Sequence, residues 1–250
     1  AKNILRGHLI YAIDGIELTN INYQELLGKE SYTMNFATFV DGELVPNGES
    51  VELVKSQMIE NPILEKKVLD ISGKKIAYLM YNAFTANFDD ELNSAFGEFK
   101  AQNASELILD LRYNGGGSVL TSARLASMIT GQFTNQLFAK QQWNPKIQSY
   151  FEEENPERMI NNFVNSIGNS TINSLNLSTV YILTSGSTAS ASELVINGLK
   201  PYINVIQVGT TTTGKNVGSI TLYDSPSFSR DGRSTAHKYA MQPLTFKIVN

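Results

Sequence analysis

Short apolar runs alternate with stretches of helical spacing along most of this chain, and glycine-rich breaks separate them. Lys75 to Met80 reads as a strand, and Phe88 to Lys100 then places Phe88, Leu92, Phe96 and Phe99 on one helical face. Leu107 to Arg112 is a second strand. It runs into Asn114-Gly115-Gly116-Gly117-Ser118, after which Val119 to Ile129 carries helical spacing. The motif recurs at Val180-Tyr181-Ile182-Leu183, a β-branched run broken by a Ser/Gly/Thr cluster before an apolar helix begins. A further run, Val205 to Val208, is closed by Gly209 and followed by a threonine-rich loop ending in Gly214-Lys215.

The flanking regions read differently. Tyr32 to Lys55 alternates as strand pieces, with turns expected at Asp41-Gly42 and at Pro46-Asn47-Gly48. Gln57 to Asp70 shows no strong period and is expected to be a linker, which suggests a small domain over 1–57, a linker over 58–69 and a main domain over 70–250. The asparagine-rich insertion from Phe133 to Asn176 is expected to fold as helices over the core, with Trp143, Tyr150 and Phe151 as packing residues. Beyond Ile220, a polar loop from Asp224 to Arg233 leads to strands around Tyr239 and over Leu244 to Val249, and the chain stops at Asn250 in a strand.

Composition narrows the function classes. A chain of 250 residues with 42% hydrophobic content can hold a sizeable core, and a net charge of −4 argues against a nucleic-acid partner. No apolar run reaches the roughly 18 residues a membrane span requires. Zero cysteines exclude thiol catalysis, disulfides and thiolate metal sites. No H-E-x-x-H or paired His/carboxylate spacing suggests a metal. The opening AKNIL, without methionine or a signal-peptide pattern, reads as a start inside a domain.

The candidate chemistry sits at two strand ends. Ser190 falls near a helix N-terminus, where free N–H groups and the positive end of the dipole favour developing negative charge. A serine hydroxyl needs a neighbouring base, and Lys215, just past a buried strand, serves if desolvation leaves its amine neutral. On pattern alone the same serines could simply cap the helix. Ser187 is assigned to the turn and Ser192 to the first helical turn. Of two histidines, His8 reads as a surface or edge residue, while His237 leaves open a Ser190-His237 triad. The three glycines suit an oxyanion or a phosphate, but no lysine and Ser/Thr follow them, so a phosphate loop is not expected. Asp110 and Arg112 read as a structural ion pair.

GSTASASE followed by TTTGK resembles the signature of the carboxy-terminal processing, or tail-specific, proteases. The resemblance implies Ser190 as nucleophile and Lys215 as general base. DLRYNGGG is similar to that family's D-L-R-x-N-P-G-G run, which implies an oxyanion hole from the amides of Gly116 and Ala191, with Gly117 supporting and Gly115 where proline is usual. Ser219 stands where many members carry a glutamine that holds the lysine. The piece Arg6 to Gly15, with Tyr23 to Leu27 after it, resembles part of a PDZ domain whose carboxylate-binding loop would precede residue 1. The implied fold is α/β, a crotonase-like protease core of ββα repeats behind a truncated PDZ-like domain. The implied function is a serine endopeptidase that cuts polypeptides near their carboxy termini in an extracytoplasmic bacterial setting, without a cofactor. A peptide- or ligand-binding protein on the same fold and a crotonase-type acyl-thioester enzyme are the rival expectations.

Overall fold

A computed structural model describes residues 4–249, so Asn250, expected in a strand, lies outside the described residues. The chain divides into two compact units between Glu60 and Asn61. The first holds a four-stranded antiparallel sheet in the order β2-β1-β3-β4, built from β1 (Leu9–Ile13), β2 (Ile16–Glu17), β3 (Ser31–Val40) and β4 (Glu43–Val54), with one short helix, α1 (Tyr23–Gly28). The turn expected at Asp41-Gly42 joins β3 to β4, and both of its residues have positive φ. The turn expected at Pro46-Asn47-Gly48 is instead a bulge within β4. Ala37 pairs with Pro46 and Asn35 with Ser50, so three β4 residues are looped out opposite Phe36. Gly48 takes φ +78 there, and the strand continues past it to pair again with β3.

The second unit is built on a five-stranded sheet in the order β13-β12-β7-β6-β5. Its strands are β5 (Ile63–Ile71), β6 (Lys74–Tyr81), β7 (Glu106–Asp110), β12 (Thr179–Thr184) and β13 (Asn204–Gly209). All neighbours are parallel except the β5–β6 hairpin. Residues 63–71, expected within a linker, are thus an edge strand. One sheet face there is solvated, so Glu65, Lys66 and Lys67 mask the alternation, while Ser72-Gly73, both at positive φ, form the turn. Three helices pack on this sheet: α2 (Asp89–Ala101), α3 (Val119–Thr130) and α5 (Ala191–Leu199). Their buried faces supply Leu92, Phe96, Phe99, Leu125, Met128, Ile129, Val195 and Leu199 to one core with Leu79, Leu107, Leu109, Val180 and Ile182.

The insertion expected to be helical holds as much strand as helix. It contains β8 (Leu137–Trp143), one helix, α4 (Pro145–Glu154), then β9 (Ile160–Asn162) and the two-residue strands β10 (Ser166–Ile167) and β11 (Ser170–Thr171). The reason is non-local pairing: β8 runs antiparallel to β17 (Leu244–Val249), with Trp143 opposite Phe246, in a second sheet of order β14-β17-β8-β9. Trp143 packs against Phe151 and Phe246 at ring centroid distances of 5.2 and 5.0 Å, as expected of a packing residue. β14 (Val217–Ser219) forms the other edge of that sheet, and β15 (Leu222–Tyr223) pairs with β16 (Ala240–Met241) nearby in sequence. Among the described residues no helix is long and apolar enough to cross a membrane.

Candidate active site

Parallel pairing of β7, β12 and β13 brings three carboxyl-terminal strand ends side by side, the edge at which open α/β sheets bind ligands. The loop after β7 holds Gly115 to Gly117, the loop after β12 holds Ser190, and the loop after β13 holds Lys215. Hydrogen bonds lace the three together. The Thr188 hydroxyl donates to the Leu111 carbonyl (2.8 Å), and the Ala189 N–H and Ser192 hydroxyl donate to the Asn114 carbonyl (3.1 and 2.9 Å). From the third loop, the Thr213 N–H donates to the Thr188 carbonyl (3.0 Å) and its hydroxyl to the Gly186 carbonyl (2.9 Å). Ser192 is therefore fully buried and tied across to the glycine loop, whereas Ser187 stays in the exposed turn.

Ser190 caps α5 in a backbone conformation that only glycine adopts freely, with φ +57 and ψ −115. The sharp strand-to-helix turn this makes is the geometry of a nucleophile elbow. Gly116 lies against it. A Cβ on Gly116, which has φ +104, would come within 2.7 Å of Ser190 Cβ and 2.9 Å of the Ala191 nitrogen, so no larger residue fits. Ser190, Ala191, Glu193, Gly214 and Lys215 line one cleft of about 220 Å³, whose remaining walls are mostly apolar: Val119, Leu194, Val217, Phe246 and Ile248. Lys215 is exposed to solvent at the mouth of this cleft, not buried as a free amine base requires.

The two predicted residues are brought together by a third that the sequence reading passed over. Glu193 Oε2 accepts from the Ser190 N–H (2.8 Å) and the Lys215 N–H (2.9 Å), and Oε1 accepts from the Thr212 hydroxyl (2.6 Å) and the Gly214 N–H (2.5 Å). Burial pushes the Glu193 carboxyl up, but these bonds, led by that from Thr212, together hold it below its ordinary value. The signal was available: Ser190 and Glu193 have the N-cap and N3 spacing of a capping box.

Asn114 is the second unforeseen organiser. It is fully buried; its amide donates to the Tyr81 carbonyl (2.8 Å) and its Oδ1 accepts the Gly116 N–H (2.9 Å). The Gly116 amide, expected to face an oxyanion, is thus held within an Asx turn. Among the described residues, the N–H groups of Gly117 and Ala191 have no acceptor. Gly117 is packed equally tightly, since a Cβ there would meet the Phe84 carbonyl oxygen at 2.3 Å.

Other predicted residues fall outside the cleft. Ser219 pairs with Leu244 across a register shift in β14 and does not line it. His237 is half-exposed and faces Asp224 at 3.3 Å in the loop after β15, also away from the lining residues. His8 packs edge-on against Phe36 in the first unit. Asp110 is buried and bidentately paired with Arg112 (2.9 and 2.7 Å), with the Tyr78 hydroxyl donating to it at 2.8 Å, the structural pair anticipated. Burial raises the Asp110 carboxyl, but Arg112 and Tyr78 hold it below its ordinary value.

Comparison with known proteins identifies the family of the chain. The chain is 26% identical over 212 residues to a carboxyl-terminal-processing protease of Picosynechococcus sp., a match covering 83% of this chain and 46% of the relative. It is 22% identical over 224 residues to a chloroplastic C-terminal processing peptidase of Tetradesmus obliquus, covering 84% and 44%. The chain thus spans about half the length of the curated relatives it matches. A crystal structure of an S41 protease from Bacteroides fragilis superposes with a TM-score of 0.72 at 28% identity, over 99% of this chain and 62% of that one. The photosystem II D1 C-terminal processing protease shares the fold, with a TM-score of 0.53 at 16% identity over 99% and 59%. Residues 75–232, which carry the Ser190 elbow, the glycine loop and Lys215, match Peptidase family S41, and the chain belongs to that family.

Proposed function

We propose that this protein is a serine endopeptidase in which Ser190 attacks and Lys215 is the general base. The observation that carries the reading is a single one: the elbow serine and the lysine line the same apolar cleft, and one carboxylate, Glu193, holds the backbone of both. Apolar walls suit a peptide side chain, and a peptide filling the cleft would cover the Lys215 amine and remove it from water. Desolvation of that kind favours the neutral form a base needs. Lys215 then takes the Ser190 proton as Oγ bonds to the scissile carbonyl carbon. The C–N bond breaks as the same proton passes to the leaving amine, and a water activated by Lys215 hydrolyses the acyl-serine. For the oxyanion, the Ala191 N–H and the Gly117 N–H are the available donors, because Asn114 occupies that of Gly116.

Cleavage near carboxy termini and an extracytoplasmic setting are part of the proposal, by resemblance to relatives named as carboxyl-terminal-processing proteases. The test is labelling by a fluorophosphonate together with hydrolysis of an unstructured reporter peptide. Wild type should react at Ser190 and cleave, while Ser190→Ala and Lys215→Met should lose at least about 1,000-fold in kcat/KM, as removal of a nucleophile or its base does. Unlabelled Ser190 and peptide binding without cleavage would instead identify a binding protein on a protease fold.

A further inference from the structure

Strand β6 bears on the site although none of its residues lines the cleft. In the order β12-β7-β6, the glycine loop after β7 lies between the Ser190 turn, which follows β12, and Phe84, which follows β6. Phe84 forms a parallel bridge with Gly117: its N–H donates to the Gly116 carbonyl (3.0 Å), and its carbonyl accepts the Ser118 N–H (2.8 Å). The N–H and C=O of one trans peptide unit point in opposite directions. Because the Gly116 carbonyl points at Phe84, the N–H of the same unit, that of Gly117, points away from Phe84 and towards the Ser190 turn. It arrives beside Ala191, since a Cβ on Gly116 would stand 2.9 Å from the Ala191 nitrogen. Phe84 has little freedom to release it. The residue is 3% exposed, its ring packs edge-on against Tyr81 at a centroid distance of 5.1 Å, and the Tyr81 carbonyl accepts from the Asn114 amide of the glycine loop (2.8 Å).

We propose that Phe84 is a positioning residue of the oxyanion hole: its two backbone bonds set the plane of the Gly116–Gly117 peptide and so aim the Gly117 N–H at the oxygen that gains charge when Ser190 attacks. The inference rests on the peptidase reading and goes beyond it, because it assigns the orientation of the donor to a residue outside the cleft. A substrate carbonyl carries little charge before attack, so a well-aimed donor stabilises the transition state more than the bound peptide. Without the Phe84 N–H the peptide plane is free to rotate. The cost then falls on kcat and on the binding of tetrahedral mimics, while binding of intact peptide stays as it was.

The experiment changes one backbone atom. Phenyllactic acid incorporated in place of Phe84 turns the N–H into an ester oxygen and keeps the ring. On an unstructured reporter peptide, kcat of the ester protein should fall about 10- to 100-fold, less than outright loss of a donor, with KM within about twofold. Affinity for a peptide boronate should fall by the same factor as kcat. Phe84→Leu keeps both backbone bonds and removes only packing, so it should lower Tm and leave kcat within about twofold. A second measurement needs no variant: in ¹⁵N-labelled wild type, the Gly117 amide proton should move downfield when a fluorophosphonate forms its tetrahedral adduct on Ser190, and that of Gly116 should stay. A folded ester protein with wild-type kcat, a Phe84→Leu loss as large as that of the ester, or a shift at Gly116 in place of Gly117 overturns the role of Phe84 and leaves the peptidase reading standing. Wild type that neither cleaves the peptide nor takes the label overturns both.

Discussion

Glu193→Gln tests the idea that one carboxylate aligns both halves of the site. Glutamine is nearly isosteric, but only one of its two terminal atoms can accept. Turned so that the oxygen keeps the Ser190 and Lys215 N–H groups, its NH₂ faces the Gly214 N–H and the Thr212 hydroxyl. The hydroxyl can rotate to accept, whereas the Gly214 N–H is left facing a donor. One bond lost outright, and three reduced from charge-assisted to neutral, amount to about 3–4 kcal/mol, and partial exposure of Glu193 to water lowers this to about 2–3 kcal/mol. If that free energy is what holds the Ser190 and Lys215 loops in register, kcat/KM on an unstructured peptide falls about 30- to 150-fold. The loss should appear in kcat more than in KM, because the cleft walls are untouched.

The pH dependence follows from the same group. Its folded-state pKa is depressed, so its contribution to stability is complete above the unfolded value of about 4.3 and is lost as pH falls through the lower folded value. The melting-temperature gap between wild type and Glu193→Gln should therefore be constant from pH 7 to pH 5 and narrow progressively as pH falls below about 4. A Glu193→Gln protein within twofold of wild-type kcat/KM would show that the loops are aligned by something else.

Three further substitutions separate the parts of the site. Asn114→Ala removes the donor to the buried Tyr81 carbonyl and the acceptor of the Gly116 N–H. It should cost about 3 kcal/mol and lower Tm by about 6–12 °C in calorimetry, and a change under 2 °C would contradict its role as organiser. Gly116→Ala forces a Cβ to within 2.7–2.9 Å of Ser190 Cβ, the Ala189 carbonyl oxygen and the Ala191 nitrogen at φ +104, and should abolish fluorophosphonate labelling. His237→Ala should leave peptide hydrolysis within twofold, because His237 is paired with Asp224 outside the cleft; a loss above tenfold would restore a histidine base.

The strand–turn–helix units of the second unit were legible because their signals are local: a β-branched run, a glycine break and helical spacing fall within about thirty residues of each other. Ser190, Lys215 and the glycine loop were singled out on motif, and parallel strand order explains why Ser190 and Lys215, 25 positions apart, line one cleft. What stayed hidden depends on partners distant in sequence. Periodicity cannot report that Trp143 lies opposite Phe246, so the insertion was read as helix, and the charged solvent face of β5 erased its alternation. Glu193 was missed for another reason. Its capping-box spacing was visible, but nothing local indicates that the same carboxylate also takes the N–H groups of a loop twenty residues on. The lysine environment was misjudged as well, since burial was inferred from the preceding strand, and that strand is the exposed edge of its sheet.

The elbow itself makes a prediction about where stability has been given up for chemistry. At φ +57 and ψ −115, Ser190 occupies a region that costs a non-glycine residue about 1–3 kcal/mol. Ser190→Ala keeps that strain because alanine also has a Cβ, whereas Ser190→Gly releases it at an unfolded-state entropy cost of about 0.5–1 kcal/mol. The glycine protein should therefore be more stable than the alanine protein by about 0.5–2 kcal/mol, a Tm difference of about 1–8 °C, although neither can form an acyl-enzyme. Comparing these two variants removes the serine hydroxyl from both sides, so the difference reads the backbone alone. Equal melting temperatures would mean that Ser190 sits in a relaxed conformation in solution, and the elbow geometry that presents its hydroxyl to the cleft would have to be abandoned.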